Sequence, residues 1–156
     1  NMKSLPQIIV PIIYNGKFFN KNLYDEVSNK RVVIFGLPGA FTPTCSEKHL
    51  PGYVELYDSI CSKNIEDIFC LSVNDPYVMS SWLFNKKYGN KIKGIADGNG
   101  EISKSLNLLV NKNNNFMGMR CNRFSLISNN CTIEKFFIEK SGEYNVSSAE
   151  NILKYL

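Results

Sequence analysis

The sequence predicts an α/β sandwich in which helices flank a mixed central β-sheet. In the middle of the chain, apolar strand-like runs alternate with helix-like segments, which is typical of parallel strands joined by crossover helices. Near each end, two strand-like runs flank a short turn, which indicates antiparallel hairpins. Because the 156 residues show no internal repeat and no linker, we expect residues 1–156 to form a single domain.

The first third of the chain contains the predicted edge hairpin and the first central strand. In order, we expect a strand over 6–14, a short strand over 17–19, a helical turn over 22–27 and a strand over 31–37. The dipeptide Asn15-Gly16 is a strong hairpin-turn signal. The run 31–37 is almost continuously apolar and rich in β-branched residues, so we expect it to be buried on both faces.

A helix is predicted after residue 43. Its apolar side chains recur at helical spacing, and they are Leu50, Tyr53, Val54, Tyr57 and Cys61. Pro51 interrupts this pattern, because a proline inside a helix removes a hydrogen bond and crowds the preceding turn. We therefore expect a kink or a break at Pro51.

The rest of the chain continues the alternation and ends in a hairpin and a helix. The predicted strands are 68–73, 92–96, 117–128 and 131–138, and the predicted helices are 77–88, 101–109 and a terminal helix after Ser147-Ser148. Asn74-Asp75-Pro76 should cap the predicted helix over 77–88. Residues 111–115 should form a polar loop, and residues 128–130 the turn of the hairpin.

Charge and hydropathy exclude two classes of partner. The net charge of +4 comes mainly from lysines, and no basic helix interleaved with aromatic residues is present, so we expect no nucleic acid. No apolar run approaches the roughly 20 residues that span a bilayer, so we expect no membrane.

The five cysteines favour a reducing intracellular compartment. Their number is odd, none forms a C-x-x-C pair, and the chain has one histidine, which disfavours a disulfide scaffold and a closed zinc site. We expect the cytoplasm, or a plastid or mitochondrial matrix if a transit segment preceded Asn1 and was removed.

One cysteine lies where a thiol becomes reactive. Residues 36–46 read GLPGAFTPTCS, so a strand, a glycine-proline turn and a helix start converge on Cys45. Either Thr42 is the N-cap with Pro43 first in the helix, or Thr44 and Glu47 form a capping box. Both alternatives place Cys45 in the first turn, where free N–H groups and the helix dipole favour thiolate over thiol. We predict that Cys45 is a nucleophile.

Two separate motifs resemble the peroxiredoxins. Residues 38–45 match the family's P-x-x-x-T-x-x-C signature, and residues 38–53 look like its type-five or plant type II subfamily. Residues 123–126, which read RFSL, resemble the strand with the catalytic arginine, and Trp82 stands where these proteins usually carry tryptophan. The resemblance implies a thioredoxin fold, a thiol peroxidase with no metal, haem or flavin, and a homodimer packed through the active-site face.

The resemblance also implies the site residues. The catalytic set is Cys45 as nucleophile, Arg123 as cation, Thr42 as orienting hydroxyl and Pro38 as pocket wall. The substrate-binding set comprises backbone groups and apolar walls, at Thr44, Gly39, Phe41 and Phe116. We interpret Arg120 as a surface residue, because strand residues three apart point to opposite faces. His49 lies four residues after Cys45 and could activate the thiol; otherwise we expect it to be partly exposed or to dock a reductant.

The regeneration step is predicted from a missing cysteine. Two-cysteine members of the subfamily carry a resolving cysteine in the loop before the last helix, but here residues 144–148 contain none. Plant type II members carry another cysteine 25 residues after the first, which matches Cys70, but its apolar flanks predict a buried structural thiol. We therefore expect a one-cysteine mechanism, in which glutathione with glutaredoxin, or thioredoxin, reduces the sulfenic acid.

The predicted activity is the reduction of hydrogen peroxide and organic hydroperoxides. The alternative is a thioredoxin-fold redox sensor or interaction module, whose thiol would be oxidised without efficient turnover. Sustained peroxide consumption with an external thiol distinguishes the two.

Overall fold

The structure, a computed structural model, describes residues 3–156. Within this range the strands are β1 Ile9–Tyr14, β2 Lys17–Asn22, β3 Arg31–Gly36, β4 Asp67–Ser72, β5 Lys93–Ala96, β6 Leu109–Asn111, β7 Met119–Cys121, β8 Phe124–Asn129 and β9 Thr132–Ile138. The α-helices are α1 Leu23–Val27, α2 Leu50–Glu55, α3 Tyr57–Cys61, α4 Pro76–Leu83, α5 Glu101–Ser105 and α6 Ala149–Leu153. A π-helical turn covers Cys45–His49, and a 3-10 turn covers Asn113–Asn115.

The predicted mixed central sheet is confirmed, and it has seven strands. Its strand order is β2-β1-β5-β4-β3-β8-β9, and only the three central strands β5, β4 and β3 are parallel neighbours. Hydrophobic clusters lie on both faces, one with Trp82 and Ile152 and the other with Leu23 and Ile102. β3 is buried on both faces because its apolar residues supply both clusters. Because β3 and β4 are parallel, their carboxyl ends lie at the same edge of the sheet.

The turn and cap signals are confirmed. Asn15 and Gly16 both adopt positive φ, 54° and 77°, as a two-residue type I′ hairpin turn requires. Asp75 caps α4 by accepting from the N–H of Val78, and Ser148 caps α6 by accepting from that of Asn151.

Several predicted boundaries are wrong, for reasons of tertiary pairing. The predicted strand 117–128 is two strands, because β7 pairs with β6 in a separate ladder while β8 joins the main sheet. The predicted helix 101–109 ends at Ser105, since Leu109 already belongs to β6. The helix predicted over 77–88 ends at Leu83. Cys131 lies in the β8–β9 turn at φ 69° rather than in a strand.

Among residues 3–156, no helix combines the length and the apolar character needed to cross a bilayer.

Candidate active site

Cys45 lies in the first turn of a helix that follows β3. Helical structure begins at Pro43, so Thr42 occupies the cap position and Cys45 is the third helical residue. Thr44 is itself helical, with φ −63° and ψ −37°, and makes no side-chain cap bond. The first of the two predicted helix starts is therefore correct, and the capping box is not formed. The Thr42 hydroxyl instead donates to the Gly39 carbonyl at 2.6 Å.

A π-helical turn, rather than a break, accommodates Pro51. The Leu50 N–H donates to the Cys45 carbonyl, five residues back, and α2 then continues through Pro51. Proline cannot donate the next bond, to the Ser46 carbonyl, and that carbonyl accepts from the Tyr88 hydroxyl at 2.8 Å. The wide turn leaves both Cys45 and His49 buried.

Arg123 brings a buried positive charge to the Cys45 thiol. Its Nη2 donates to Cys45 Sγ at 3.4 Å, and the two residues are 8% and 1% exposed. Arg123 lies in the short link between β7 and β8, so the expected alternation of strand faces does not apply to it. Of the two candidate arginines, Arg123 nevertheless is the one that contacts the thiol.

Arg120 is not the surface residue that the sequence predicted. It is half-buried, its Nη1 donates to the Pro38 carbonyl at 3.2 Å, and its Nε donates to the Met117 carbonyl at 2.8 Å. Arg120 thus ties the turn before Cys45 to the β6–β7 ladder.

His49 is fully buried, so the expectation of a partly exposed or docking residue is wrong. Its Nδ1 lies 3.0 Å from Arg123 Nη1 and its Nε2 lies 3.0 Å from the Ser147 carbonyl. Since guanidinium only donates, Nδ1 accepts and Nε2–H donates to Ser147. Burial, and secondly the charge of Arg123, lower the pKa of His49 to about 3, against the opposing Ser147 bond. Neutral His49 therefore orients Arg123 through the ring nitrogen that lacks a proton.

A carboxylate that the sequence analysis missed holds the loop behind His49. Glu139 is buried and accepts from the Ser147 N–H at 2.9 Å, from the Ser147 hydroxyl at 2.6 Å and from the Asn145 N–H. Burial alone would raise the pKa of Glu139, but the hydrogen bonds from Ser147 and Asn145 outweigh it and lower the pKa. Glu139 belongs to no recognisable motif, so only the folded chain reveals its hydrogen bonds with Ser147 and Asn145.

A pocket of about 340 Å³ opens beside Arg123. Pro38, the expected pocket wall, and Thr44, an expected substrate-binding residue, line it, whereas Cys45 lies outside its lining. Gly39 is buried next to the pocket, where a Cβ atom would lie 3.0 Å from Arg120 Nη1 and 3.2 Å from Thr42 Cγ2.

Phe41 and Phe116, which the sequence predicts as substrate-binding residues, lie outside the lining of this pocket. They are 60% and 98% exposed, and both have positive φ, 62° and 59°. A positive φ is uncommon for a bulky residue and here presents each ring to solvent.

The other four cysteines are free thiols, and none of them lines the pocket. Cys70 is fully buried in β4, and burial raises its pKa well above the usual range, as expected of a structural thiol. Burial also raises the pKa of Cys121 to about 12. Cys61 is half-buried and Cys131 is 1% exposed. Within residues 3–156, no group of three His, Cys, Asp or Glu side chains could hold a metal ion.

Comparison with known proteins places the chain in a family. Residues 15–153 match the redoxin family. Peroxiredoxin-2B of Arabidopsis thaliana is 39% identical over 142 residues, which cover 91% of this chain and 88% of that protein.

Two crystal structures are closely similar. The antioxidant protein of Plasmodium falciparum, a 1-Cys peroxiredoxin, superimposes with a TM-score of 0.92 at 38% identity, covering 99% of this chain and 96% of that one. Reduced Prx3 of Vibrio vulnificus in complex with H₂O₂ gives a TM-score of 0.91 at 33% identity, covering 98% and 96%. The thioredoxin fold implied by the resemblance is thereby confirmed. Since sequence relatives and structures agree over nearly the whole chain, it belongs to the peroxiredoxin family and is a thiol peroxidase.

Proposed function

We propose that Cys45 is the peroxidatic nucleophile, and that it reduces hydrogen peroxide and organic hydroperoxides. The observation that carries the proposal is the 3.4 Å contact between Arg123 Nη2 and Cys45 Sγ. A thiol attacks as thiolate, and the Arg123 guanidinium lies where it can donate to that sulfur. The H₂O₂ named for the Vibrio vulnificus relative supports this choice of substrate.

In the first step the Cys45 thiolate attacks one peroxide oxygen. An S–O bond forms, the O–O bond breaks, and a proton joins the departing oxygen as water or alcohol, which leaves Cys45 sulfenic acid. Arg123 stabilises the negative charge as it moves to the leaving oxygen. The Thr42 hydroxyl, which donates to Gly39, keeps its lone pairs free to accept from the peroxide O–H.

The pocket walls restrict water and position the substrate. Pro38 excludes solvent on one side, and the backbone N–H groups around Thr44 and Cys45 offer donors to the peroxide oxygens. Gly39 leaves room where a side chain would press on Arg120.

Regeneration follows a one-cysteine mechanism, in which an external thiol reduces the sulfenic acid. No cysteine is present in residues 144–148, and Cys70 is fully buried. The name of the Plasmodium falciparum relative as a 1-Cys peroxiredoxin supports the same mechanism. Glutathione with glutaredoxin is the proposed reductant, and thioredoxin is the competing one.

The exposed rings of Phe41 and Phe116 fit the proposed homodimer. Both rings lie beside the loops that carry the site and are exposed. Exposed aromatic residues are typical of protein–protein interfaces. Sedimentation that gives a monomer at micromolar concentration, unchanged by Phe116→Ser, would contradict this assembly.

The nucleophile is tested by Cys45→Ser. The serine hydroxyl is not ionised near neutral pH, so we expect peroxide consumption to fall by at least about a thousandfold. Cys61→Ser is the matched control, since Cys61 lies at the end of α3 outside the pocket, and we expect it to be unchanged. Peroxide consumption by Cys45→Ser at the wild-type rate would refute the proposal.

A further inference from the structure

The strand β2 forms a free edge of the seven-stranded sheet, where it pairs only with β1. Directly after β2, the Leu23 N–H donates to the Ile8 carbonyl at 2.9 Å. Because bonded and non-bonded pairs alternate along an antiparallel ladder, residues 17, 19 and 21 bond to β1, and the main-chain groups of Phe18 and Asn20 point away from it. Within residues 3–156, no other backbone segment pairs with these outward groups.

The face of β2 that carries Lys17, Phe19 and Lys21 is exposed and positively charged. Phe19 is 64% exposed between the two lysines. Lys21 lies 3.5 Å from Glu26, whereas Lys17 takes part in no ion pair within 4.0 Å among the described residues. The cavity of about 340 Å³ beside this face is lined by these lysines and Lys93, with Glu26 as its one acid. A ligand on this face therefore meets an excess of positive charge.

The opposite face of β2 is aromatic. Phe18 contacts Tyr77 of α4 edge-on, with 5.3 Å between the ring centroids, and Tyr77 is 74% exposed. Together with Phe84, which is 51% exposed, they line a second cavity of about 420 Å³. The free edge is thus flanked by exposed aromatic rings on both faces, and by lysines on one of them.

We propose that β2 is a docking edge for an extended acidic segment of a partner protein, which adds to the sheet as an antiparallel strand. Its main chain bonds to the outward groups of Phe18 and Asn20. The residues across from Lys17 and Lys21 lie on the lysine face and are acidic, and the residue across from Phe19 is aromatic. The partner segment therefore reads acid-x-aromatic-x-acid, in which the x positions face the aromatic side of β2 and are apolar.

The same charges disfavour a second copy of this chain as the occupant. In an antiparallel pair of β2 strands centred on Phe19, Lys17 of each copy lies opposite Lys21 of the other. Like charges directly across a ladder are destabilising, and lysines on an edge strand protect against self-pairing. An acidic strand replaces both repulsions with attractions, so the edge selects a partner of opposite charge.

The docking edge lies apart from the pocket beside Arg123. The strands β1, β5 and β4 separate β2 from β3, which leads to Cys45. Neither cavity that flanks β2 shares a residue with that pocket. A docked partner therefore leaves access to the pocket open, so the inference goes beyond the proposed function and does not depend on it.

The test uses the full chain and a fluorescein-labelled probe peptide, Ser-Glu-Val-Phe-Val-Glu-Ser, amidated at its C-terminus. Fluorescence anisotropy at low salt measures the dissociation constant. We expect Lys17→Glu and Lys21→Glu each to weaken binding roughly fivefold, because each turns an attraction into a repulsion at an exposed position. The control is Lys104→Glu, the same charge change on an exposed lysine of α5 outside both cavities, and its affinity should stay within about twofold of wild type.

N-methylation of the probe distinguishes strand addition from attraction by charge alone. In the antiparallel register, the two valine N–H groups point toward β2 and the phenylalanine N–H points away. Methylating both valines should therefore abolish binding, whereas methylating phenylalanine should change the dissociation constant less than about threefold. In the bound state, hydrogen exchange at the Phe18 and Asn20 amides should slow by at least about tenfold, since both amides gain an acceptor.

Three results would overturn the inference: a probe that does not bind, equal losses for the two methylated probes, or wild-type affinity in both lysine variants. Protection of the Phe18 and Asn20 amides that grows with the concentration of the free chain would assign the edge to a second copy, and overturns it as well.

Discussion

Arg123 is the residue whose placement most affects the Cys45 thiol. It is buried, and its two terminal nitrogens are used in different directions, Nη2 toward Sγ and Nη1 toward His49. A guanidinium holds this forked geometry, whereas a lysine ammonium is a single point donor. A single positive charge therefore cannot make both of these contacts in the same geometry.

We accordingly predict that Arg123→Lys lowers the rate constant for peroxide reduction by roughly 10²–10³-fold, although the charge is kept. Stopped-flow oxidation of the protein by hydrogen peroxide measures this rate constant. The matched control is Arg31→Lys, where a partly buried arginine far from the pocket pairs with Glu134, and its rate should stay within twofold of wild type. A wild-type rate in Arg123→Lys would show that charge without geometry suffices.

His49 gives the fold a specific sensitivity to acid. Its pKa is lowered to about 3 in the folded protein, whereas in the unfolded chain it is near 6.5. Between these values the unfolded chain binds a proton that the folded chain excludes, so the free energy of unfolding falls as the pH drops from about 6.5 to about 3.

His49→Gln should remove this contribution while still offering an acceptor to Arg123 and a donor to Ser147. We predict that the loss of stability with falling pH is shallower in the variant, by up to about 1.4 kcal/mol per pH unit. Urea unfolding at a series of pH values measures both slopes. Parallel slopes for the variant and wild type would show that His49 is not kept neutral by the fold.

At the scale of elements, the site depends on the loop that precedes α6. Its Ser147 carbonyl accepts from both His49 and the Tyr53 hydroxyl, while Glu139 at the end of β9 binds its N–H groups. The loop without a resolving cysteine therefore has a positioning function, acting on Cys45 through His49 and Arg123.

Glu139→Gln tests that chain of contacts. An amide is a weaker acceptor for three donors than a carboxylate, so we predict a loss of about 2 kcal/mol in the free energy of unfolding at pH 7 and faster hydrogen exchange at the Ser147 amide. The pKa of Glu139 is lowered in the fold, so its contribution is present above about pH 4.3 and should vanish in acid.

Glu55→Gln, an exposed carboxylate at the end of α2, is the control and should change neither quantity. If the two variants exchange at the same rate at Ser147, Glu139 does not hold the loop.

Most elements could be predicted from local signals, but the second half of the site could not. Asn15-Gly16, Asp75 and Ser148 act through their own backbone and close neighbours, so the sequence shows them directly. The division of 117–128 depends on β6, and the bonds of His49 and Glu139 depend on Ser147, far along the chain. The π-helical turn combines the two cases, because Pro51 predicts a distortion, whereas the bond from the distant Tyr88 hydroxyl to the Ser46 carbonyl is seen only in the fold.

Across the whole molecule, four of the five thiols are buried, and Cys45 differs from the other three in its neighbouring charge. Burial raises the pKa of Cys70 and Cys121, whereas Cys45 has Arg123 beside it. We therefore expect the guanidinium of Arg123, rather than exposure to solvent, to distinguish Cys45 from the other buried thiols.

The central claim is that Cys45 alone receives the oxidising equivalent and then waits for an external thiol. The most direct measurement is the intact mass of the full chain after one equivalent of hydrogen peroxide, followed by peptide mapping. We expect one added oxygen atom on Cys45, which glutathione converts to a mixed disulfide at the same residue. A loss of two hydrogens, mapped to a disulfide between Cys45 and Cys70 or another cysteine of the chain, would contradict it.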